Sequence, residues 1–388
     1  NEGTDYVGTA YTFQARVYSY QLWGFGGYNS GRLGLNDTTH RSSPTQIPGT
    51  TWASINDGGR VQNFSAFKTD GTLWSWGYNY YGALGINLSA PTVSSPIQIP
   101  GTTWAQASIH NYNGYATKTD GTLWSWGMVH NGQRGDNKNQ SSNPGSYQSS
   151  PTQIPGTSWA TTADCVNYGS CIRTDGTLWT WGNNFGGQLG INISTNYNTH
   201  RSSPVQVPGT TWEKVYSSLY GRFAIKTDGT LWAWGANGSM GRLGLNQGGG
   251  ADFPTYSKGK SSPTQIPGTT WKQVSVGNNQ AAATKTDGTL WAWGDNGLGQ
   301  LADNTTVQRS SPTQIPGTTW DRVAMGGYSN AALKTDGTIW AWGSNSYGGL
   351  GQNQATSVKI SSPVQVGSDT TWTDIATAMI TSMGTKRV

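Results

Sequence analysis

Glutamate is almost missing from this chain: 388 residues hold only Glu2 and Glu213, and charged side chains of every kind make up 11%. General acid–base chemistry therefore has few candidates, and the expectation is a protein that is not an enzyme, with no cofactor and no metal site. The four histidines, His40, His110, His130 and His200, include no pair at metal-ligand spacing, and no phosphate loop, nucleophile elbow or zinc pattern occurs. Lysine and arginine give a net charge of +5 yet are scattered one or two per repeat with no basic run, so specific nucleic-acid binding is not expected. No stretch approaches the roughly 18 apolar residues of a membrane span. Apolar residues at helical spacing are missing too, so no helix longer than about two turns is expected. The opening NEGTDYVG has no Met, and an N-terminal signal cannot be read from it.

What is abundant is glycine (55), tryptophan (20) and repetition. Six versions of KTDGTLWSWG occur, from Lys68–Gly77 to Lys334–Gly343. Asp-Gly between strand-favouring runs predicts a two-residue type I′ hairpin turn, with the flanking threonines facing each other. After the turn the residues alternate, so Trp74 and Trp76 leave one face of their strand and Leu73 and Ser75 the other. A second phrase, Ser-Ser-Pro-x-Gln, places proline at 44, 96, 151, 204, 263, 312 and 363, which makes seven units. A third runs from Trp-Gly, through Leu-Gly in five of the seven units, and ends on asparagine at 36, 87, 137, 192, 246, 304 and 353. All 20 tryptophans fall in register with these phrases, and Trp23 opens an odd unit in which Phe25 replaces the second indole.

Four short strands per unit, seven times over, predict an all-β seven-bladed propeller of four-stranded blades, residues 18–388, with 1–17 as an N-terminal extension or linker. Large indoles at fixed register would fill the wedges between blades, each burying roughly 150–250 Å². The last unit stops at Lys386, which aligns with Lys334 before the missing Asp-Gly turn, and the first begins at YQLWGFG, the strand due next. One blade is thus expected to be built from both termini.

The stretch GGYSNAALKTDGTIWAWGSNSYGGLGQN, residues 326–353, resembles the repeat of the regulator of chromosome condensation family, whose members fold as seven-bladed propellers. The resemblance covers about residues 20–388. The repeats are nearly identical to one another and rich in tryptophan, a pattern more like bacterial and viral members than the chromatin-bound exchange factor.

The ring of Asp70, Asp120, Asp175, Asp228, Asp287 and Asp336 has a complete explanation in its turns and needs no calcium. The matching ring of Lys68, Lys118, Arg173, Lys226, Lys285, Lys334 and Lys386 reads as solvated charge near those turns. Cys165 and Cys171 fall where two strands of a blade turn back on each other and are placed to meet as a disulfide. With alternating strands, the Asp-Gly turns and Pro-Gly connections share one face, and the other carries the loops that differ in length. Those loops hold Tyr81, Tyr112, Tyr115, Tyr147, Tyr168, Tyr197, Tyr220, Phe253, Tyr256, Tyr328 and Tyr347 among Asn, Ser and Gly, a mixture suited to adaptable recognition. Tyr147, Tyr197, Phe253 and Tyr256 are the expected contacts, from the long loops 138–148 and 247–260 and the blade between them. The expected function is a non-enzymatic recognition or structural protein, displayed on the exterior of a virion (tail or head appendage) or cell, binding a protein or a cell-surface glycan. A guanine nucleotide exchange factor-like regulator and a propeller inhibitor of a partner enzyme are the alternatives the resemblance implies.

Overall fold

The computed structural model describes residues 20–27, 31–56, 62–138, 147–165, 168–193, 199–218, 220–247, 259–353, 358–378 and 381–387. Its strands form seven four-stranded antiparallel sheets arranged as the blades of a propeller. The first blade runs from the inner strand Trp52–Ile55 through Asn63–Lys68 and Leu73–Tyr78 to the outer strand Thr92–Gln98. Inner strands touch one another around the central axis, and each Ser-Ser-Pro phrase forms an outer strand. The helices described are single 3₁₀ turns, Tyr80–Gly82 and Ser346–Gly348. The extension 1–17 lies outside the described residues.

Closure follows the sequence reading. The seventh blade takes its two inner strands, Trp372–Ala378 and Thr381–Arg387, from the end of the chain and its two outer strands, Tyr20–Gly26 and Arg41–Ile47, from the beginning. Tyr20 pairs with Arg387 and Trp23 with Gly384, in unbroken antiparallel register.

The hairpin turn differs from expectation. Phe67 pairs with Leu73, and Lys68 N–H donates to Thr72 O at 3.0 Å, so the loop is the three residues Thr69, Asp70 and Gly71. Only Gly71 is left-handed, with φ of 77°. This is a type I turn closed by a glycine bulge, and Thr72 faces Lys68 rather than Thr69. Asp-Gly suits both turn types. What selects this one is the aspartate carboxylate, which accepts the Thr72 amide at 2.9 Å and its hydroxyl at 2.6 Å, while the Trp74 indole N–H donates to that hydroxyl at 2.8 Å. The same Trp–Thr–Asp relay recurs in the other five turns, for example at Trp291, Thr289 and Asp287. The threonine hydroxyl, followed by the threonine amide, holds each of these carboxyls below the usual range.

Tryptophan fills the wedges. Trp76 and its five counterparts are wholly buried, and each donates its indole N–H to a carbonyl of the preceding blade, Trp76 to Arg32 at 2.8 Å and Trp342 to Gln300 at 2.7 Å. At the closing junction Phe25 takes this place, 1% exposed, and packs with Leu350 and Val366 in a purely apolar contact.

The seven asparagines supply a joint that runs the whole way round. Each has φ of 55–62°. Each donates its backbone N–H to the first serine of Ser-Ser-Pro in the following blade, at 2.7 or 2.8 Å, from Asn36 to Ser94 through to Asn353 to Ser42. Asparagine tolerates the left-handed region better than other side-chain-bearing residues, which explains its presence in every unit.

Two outcomes are expected. Deleting residues 372–388 removes both inner strands of the closing blade, leaves the edge of Tyr20–Gly26 unpaired and uncovers the faces of the neighbouring blades; gel filtration should show aggregation, with any soluble protein melting at least about 10 °C lower. The second concerns His110, 7% exposed, whose pKa burial lowers from 6.5 to about 4. Between these values the unfolded chain binds the extra proton, so stability falls as pH drops from about 6.5 to 4, by on the order of 3 kcal/mol if the whole shift is expressed. Urea titrations across that window should show the slope, and His110→Gln should flatten it while leaving the aspartate-dependent loss below about pH 4 in place.

Candidate functional site

The two faces divide as the strand directions require. Turns such as Thr69–Gly71 and the Pro-Gly connections lie together: Trp104 N–H donates to Gly71 O at 3.3 Å, and Trp159 N–H to Gly121 O at 3.0 Å, tying each turn to the next inner strand. The variable loops occupy the other face.

On that face, where the first and second blades meet, tyrosines form a continuous row. Tyr78 stacks on Tyr80 with ring centres 5.1 Å apart, Tyr80 meets Tyr81 edge-on at 5.9 Å, and Tyr81 meets Tyr112 at 5.7 Å. Across a cleft of about 300 Å³ stands Tyr147, the first residue of the strand Tyr147–Ile154. Asn79, Gly82, Ser89 and Pro91 complete the lining. Tyr80, Tyr81 and Tyr147 are 52%, 39% and 45% exposed, a concentration of open aromatic surface that packing alone does not call for. Tyr81 also has φ of 58°, a left-handed conformation unfavourable for so bulky a side chain.

The chemistry of the cleft is that of a binding surface. Its lining residues carry no carboxylate, ammonium or imidazole. The Asn79 amide is spent on the loop itself, donating to Leu88 O at 3.0 Å and Ala90 O at 2.9 Å and accepting Leu84 N–H at 3.0 Å. A ligand here meets flat rings, phenolic hydroxyls and Ser89. That pattern selects neutral groups with an apolar face.

Tyr147, expected as a contact from the loop 138–148, is exposed and lines this cleft. Tyr197, Phe253 and Tyr256 lie outside the described residues. Tyr115 and Tyr168, counted among the loop aromatics, are instead core residues with no exposure, set by strand alternation inside Asn113–Lys118 and Tyr168–Arg173. Tyr80 was missed, although three aromatics within YNYYG were the available signal. The Cys165 side chain is outside the described residues; the strand register sets Cys165 opposite Tyr168 and Cys171 opposite Thr162, three positions apart. His200, whose Nδ1 accepts Asn184 N–H at 3.0 Å, serves loop structure.

The cation ring is corrected most sharply. These side chains are not merely solvated near the turns. Each is clasped between two indoles: Lys68 lies 5.1 Å from Trp52 and 4.0 Å from Trp74, Arg173 4.4 Å from Trp159 and from Trp179, and Lys386 4.4 Å from Trp23 and 4.3 Å from Trp372. The clasp joins the cross-strand pair Trp52 and Lys68 to the next strand's Trp74.

Comparison with known proteins agrees with this architecture. The family model described as regulator of chromosome condensation (RCC1) repeat matches residues 70–112, 175–217, 228–284, 287–333 and 336–378, and a second model of the same description matches 271–300 and 320–348. Human probable E3 ubiquitin-protein ligase HERC6 is 29% identical over 149 residues, which cover 37% of this chain and 14% of that protein. Human E3 ubiquitin-protein ligase HERC2 is 30% identical over 147 residues, 36% of this chain and 3% of that protein; human protein RCC2 is 29% identical over 146 residues, 36% and 26%. The match thus spans a small part of each relative, and the ligase activity in two of these names belongs to those proteins. Among solved structures, Prp20p of Saccharomyces cerevisiae, studied for its binding to Gsp1p and histones, superposes with a TM-score of 0.81 at 18% identity, covering 95% of this chain and 92% of that one. Human WBSCR16 gives 0.77 at 18% identity, covering 96% and 99%. Identity this low speaks for the fold. The curated relatives, ubiquitin ligases and protein RCC2, work inside cells, and they overturn the expectation of an extracellular or virion-surface location, which rested on the missing catalytic groups, the low charge and the tyrosine-rich loops. With RCC1 repeats matched over more than half its length and seven blades in its ring, this chain belongs to the regulator of chromosome condensation (RCC1) repeat family.

Proposed function

We propose that the protein is a non-enzymatic recognition propeller that binds a protein partner through its variable-loop face. The observation that carries this reading is the open tyrosine cleft, with Tyr80, Tyr81 and Tyr147 exposed around about 300 Å³ and the neighbouring amides already engaged in the fold. Rigid rings ordered before binding lose little entropy on contact, which is why tyrosine serves well at recognition surfaces. The relative solved in a study of its binding to Gsp1p and histones, and the yeast propeller bound to Kap60, support a protein as the partner class. The proposed contact set is Tyr147 with Tyr80 and Tyr81, extended by Tyr197, Phe253 and Tyr256. Regulating a GTPase, or capping another enzyme, would use the same surface and differ in what the partner does once held.

The test is quantitative capture of partners from an extract of the source cells by wild-type propeller and by Tyr80→Ala/Tyr81→Ala/Tyr147→Ala. The triple variant should melt within a few degrees of wild type yet bind the captured partner more than tenfold more weakly, about 1.4 kcal/mol or more. Lys118→Ala/Lys226→Ala on the turn face serves as the control. Loss of binding in the control but not in the tyrosine variant would place function on the opposite face.

A further inference from the structure

A second cleft, about 370 Å³, lies between the fourth blade, whose outer strand is Lys260–Ile266, and the fifth, which begins at Trp271. Leu245, Pro267, Trp271, Trp291 and Pro312 give it apolar walls, and Lys260 and Lys285 bring two positive charges; no acidic residue is among those that line it. Lys285 is the clasped cation of this blade, 4.5 Å from Trp271 and 4.8 Å from Trp291. The acidic side chain of the same hairpin, Asp287, is occupied by the Thr289 amide and hydroxyl at 2.9 and 2.7 Å.

The closing blade shows what such a clasp accepts. There the connection to the inner strand reads VGSDTTW, one residue longer than the IPGTTW that precedes Trp271, and the extra length sets the Asp369 carboxylate 2.5 Å from Lys386 Nζ. Burial alone would raise the Asp369 pKa, but Lys386 and the Thr371 hydroxyl and amide bring it down to about 2. Among the described residues, Lys386 alone of the seven clasped cations has an ion-pair partner. In the fifth blade the corresponding connection passes Gly268 over the ammonium, and a side chain added there would begin 3.4 Å from Lys285 Nζ. Glycine leaves that approach open.

We propose that this cleft binds an acidic segment of a partner protein, with one carboxylate taking at Lys285 the place that Asp369 holds at Lys386, and an adjacent apolar side chain lying against Trp291 and Pro312. Lys260 attracts a second carboxylate at the cleft's outer end. The two indoles lie against the half-buried Lys285, so a pair formed there is less screened than one at a free surface lysine. This site is separate from the tyrosine cleft.

The experiment titrates the full chain, with indole nitrogens labelled with ¹⁵N, with the acetylated, amidated pentapeptide Phe-Asp-Leu-Asp-Phe and with its counterpart Phe-Asn-Leu-Asn-Phe. The acidic peptide should shift the Trp291 indole resonance and bind at least tenfold more tightly than the asparagine peptide, with the difference shrinking as salt rises. Lys285→Met, which keeps an unbranched side chain between the indoles, should lose that preference, and Lys285→Arg should retain it. Thr264→Phe, which narrows the cleft without touching the clasp, should weaken both peptides and stands in if Lys285→Met does not fold. Equal affinity for the two peptides, an unmoved Trp291 resonance up to about 5 mM peptide, or unchanged binding by Lys285→Met or Thr264→Phe would overturn the proposal.

Discussion

The ring depends on one bond made seven times: the backbone N–H of a left-handed asparagine reaching the serine carbonyl at the edge of the next blade. A blade buries both faces against its neighbours, so its position is fixed only when something directional sets the angle between sheets. Apolar contact is not directional. The asparagine amide is, and it ties each blade's loop to the following blade's outer strand, where the wedge is widest. The buried indoles add a second directional bond further in, at six of the seven junctions. At the closing junction Phe25 fills volume but donates nothing, so orientation there rests on the bond from Asn353 to Ser42, on Trp372 N–H donating to Gly337 O at 3.3 Å, on the Arg322–Asp374 ion pair, and on the sheet register between the two ends of the chain.

Much of this was legible because periodicity writes tertiary structure directly into sequence. Seven Ser-Ser-Pro phrases count the blades, and the missing turn after Lys386 locates the shared one. The asparagines were visible as a fixed feature, but their reason was not, since a positive φ and a bond to the next blade are properties of an assembled ring. The clasped cations were misjudged for a related cause. Lys68 is sixteen residues from Trp52 and six from Trp74, and only the hairpin register brings both indoles over it. The turn type was misjudged because Asp-Gly satisfies two geometries, and the decisive contact is between Asp70 and a threonine whose role is to position Trp74.

The candidate site was legible in outline. Variable loops and tyrosines pointed to the face that carries the proposed tyrosine cleft, and Tyr147 stands open on it. Strand alternation carried Tyr115 and Tyr168 inward, a distinction that depends on where a strand begins to within one residue. The polar half of the recognition surface was overestimated for a different reason. Asn79 and its counterparts Asn184, Asn296 and Asn345 accept a leucine N–H five residues on, so the asparagine-rich loops are braced by their own amides. What remains for a partner is chiefly aromatic.

Closure of the ring through a shared blade bears on how such a protein changes over generations. Because the shared blade takes its inner strands from one end of the repeat array and its outer strands from the other, the sequence repeat and the physical blade are out of phase by half a unit. Duplication or loss of one whole repeat would leave both ends in register with each other and every joint chemically the same. Blade number is then opposed only by the wedge angle that the tryptophans set. Packing geometry then decides which numbers of blades close.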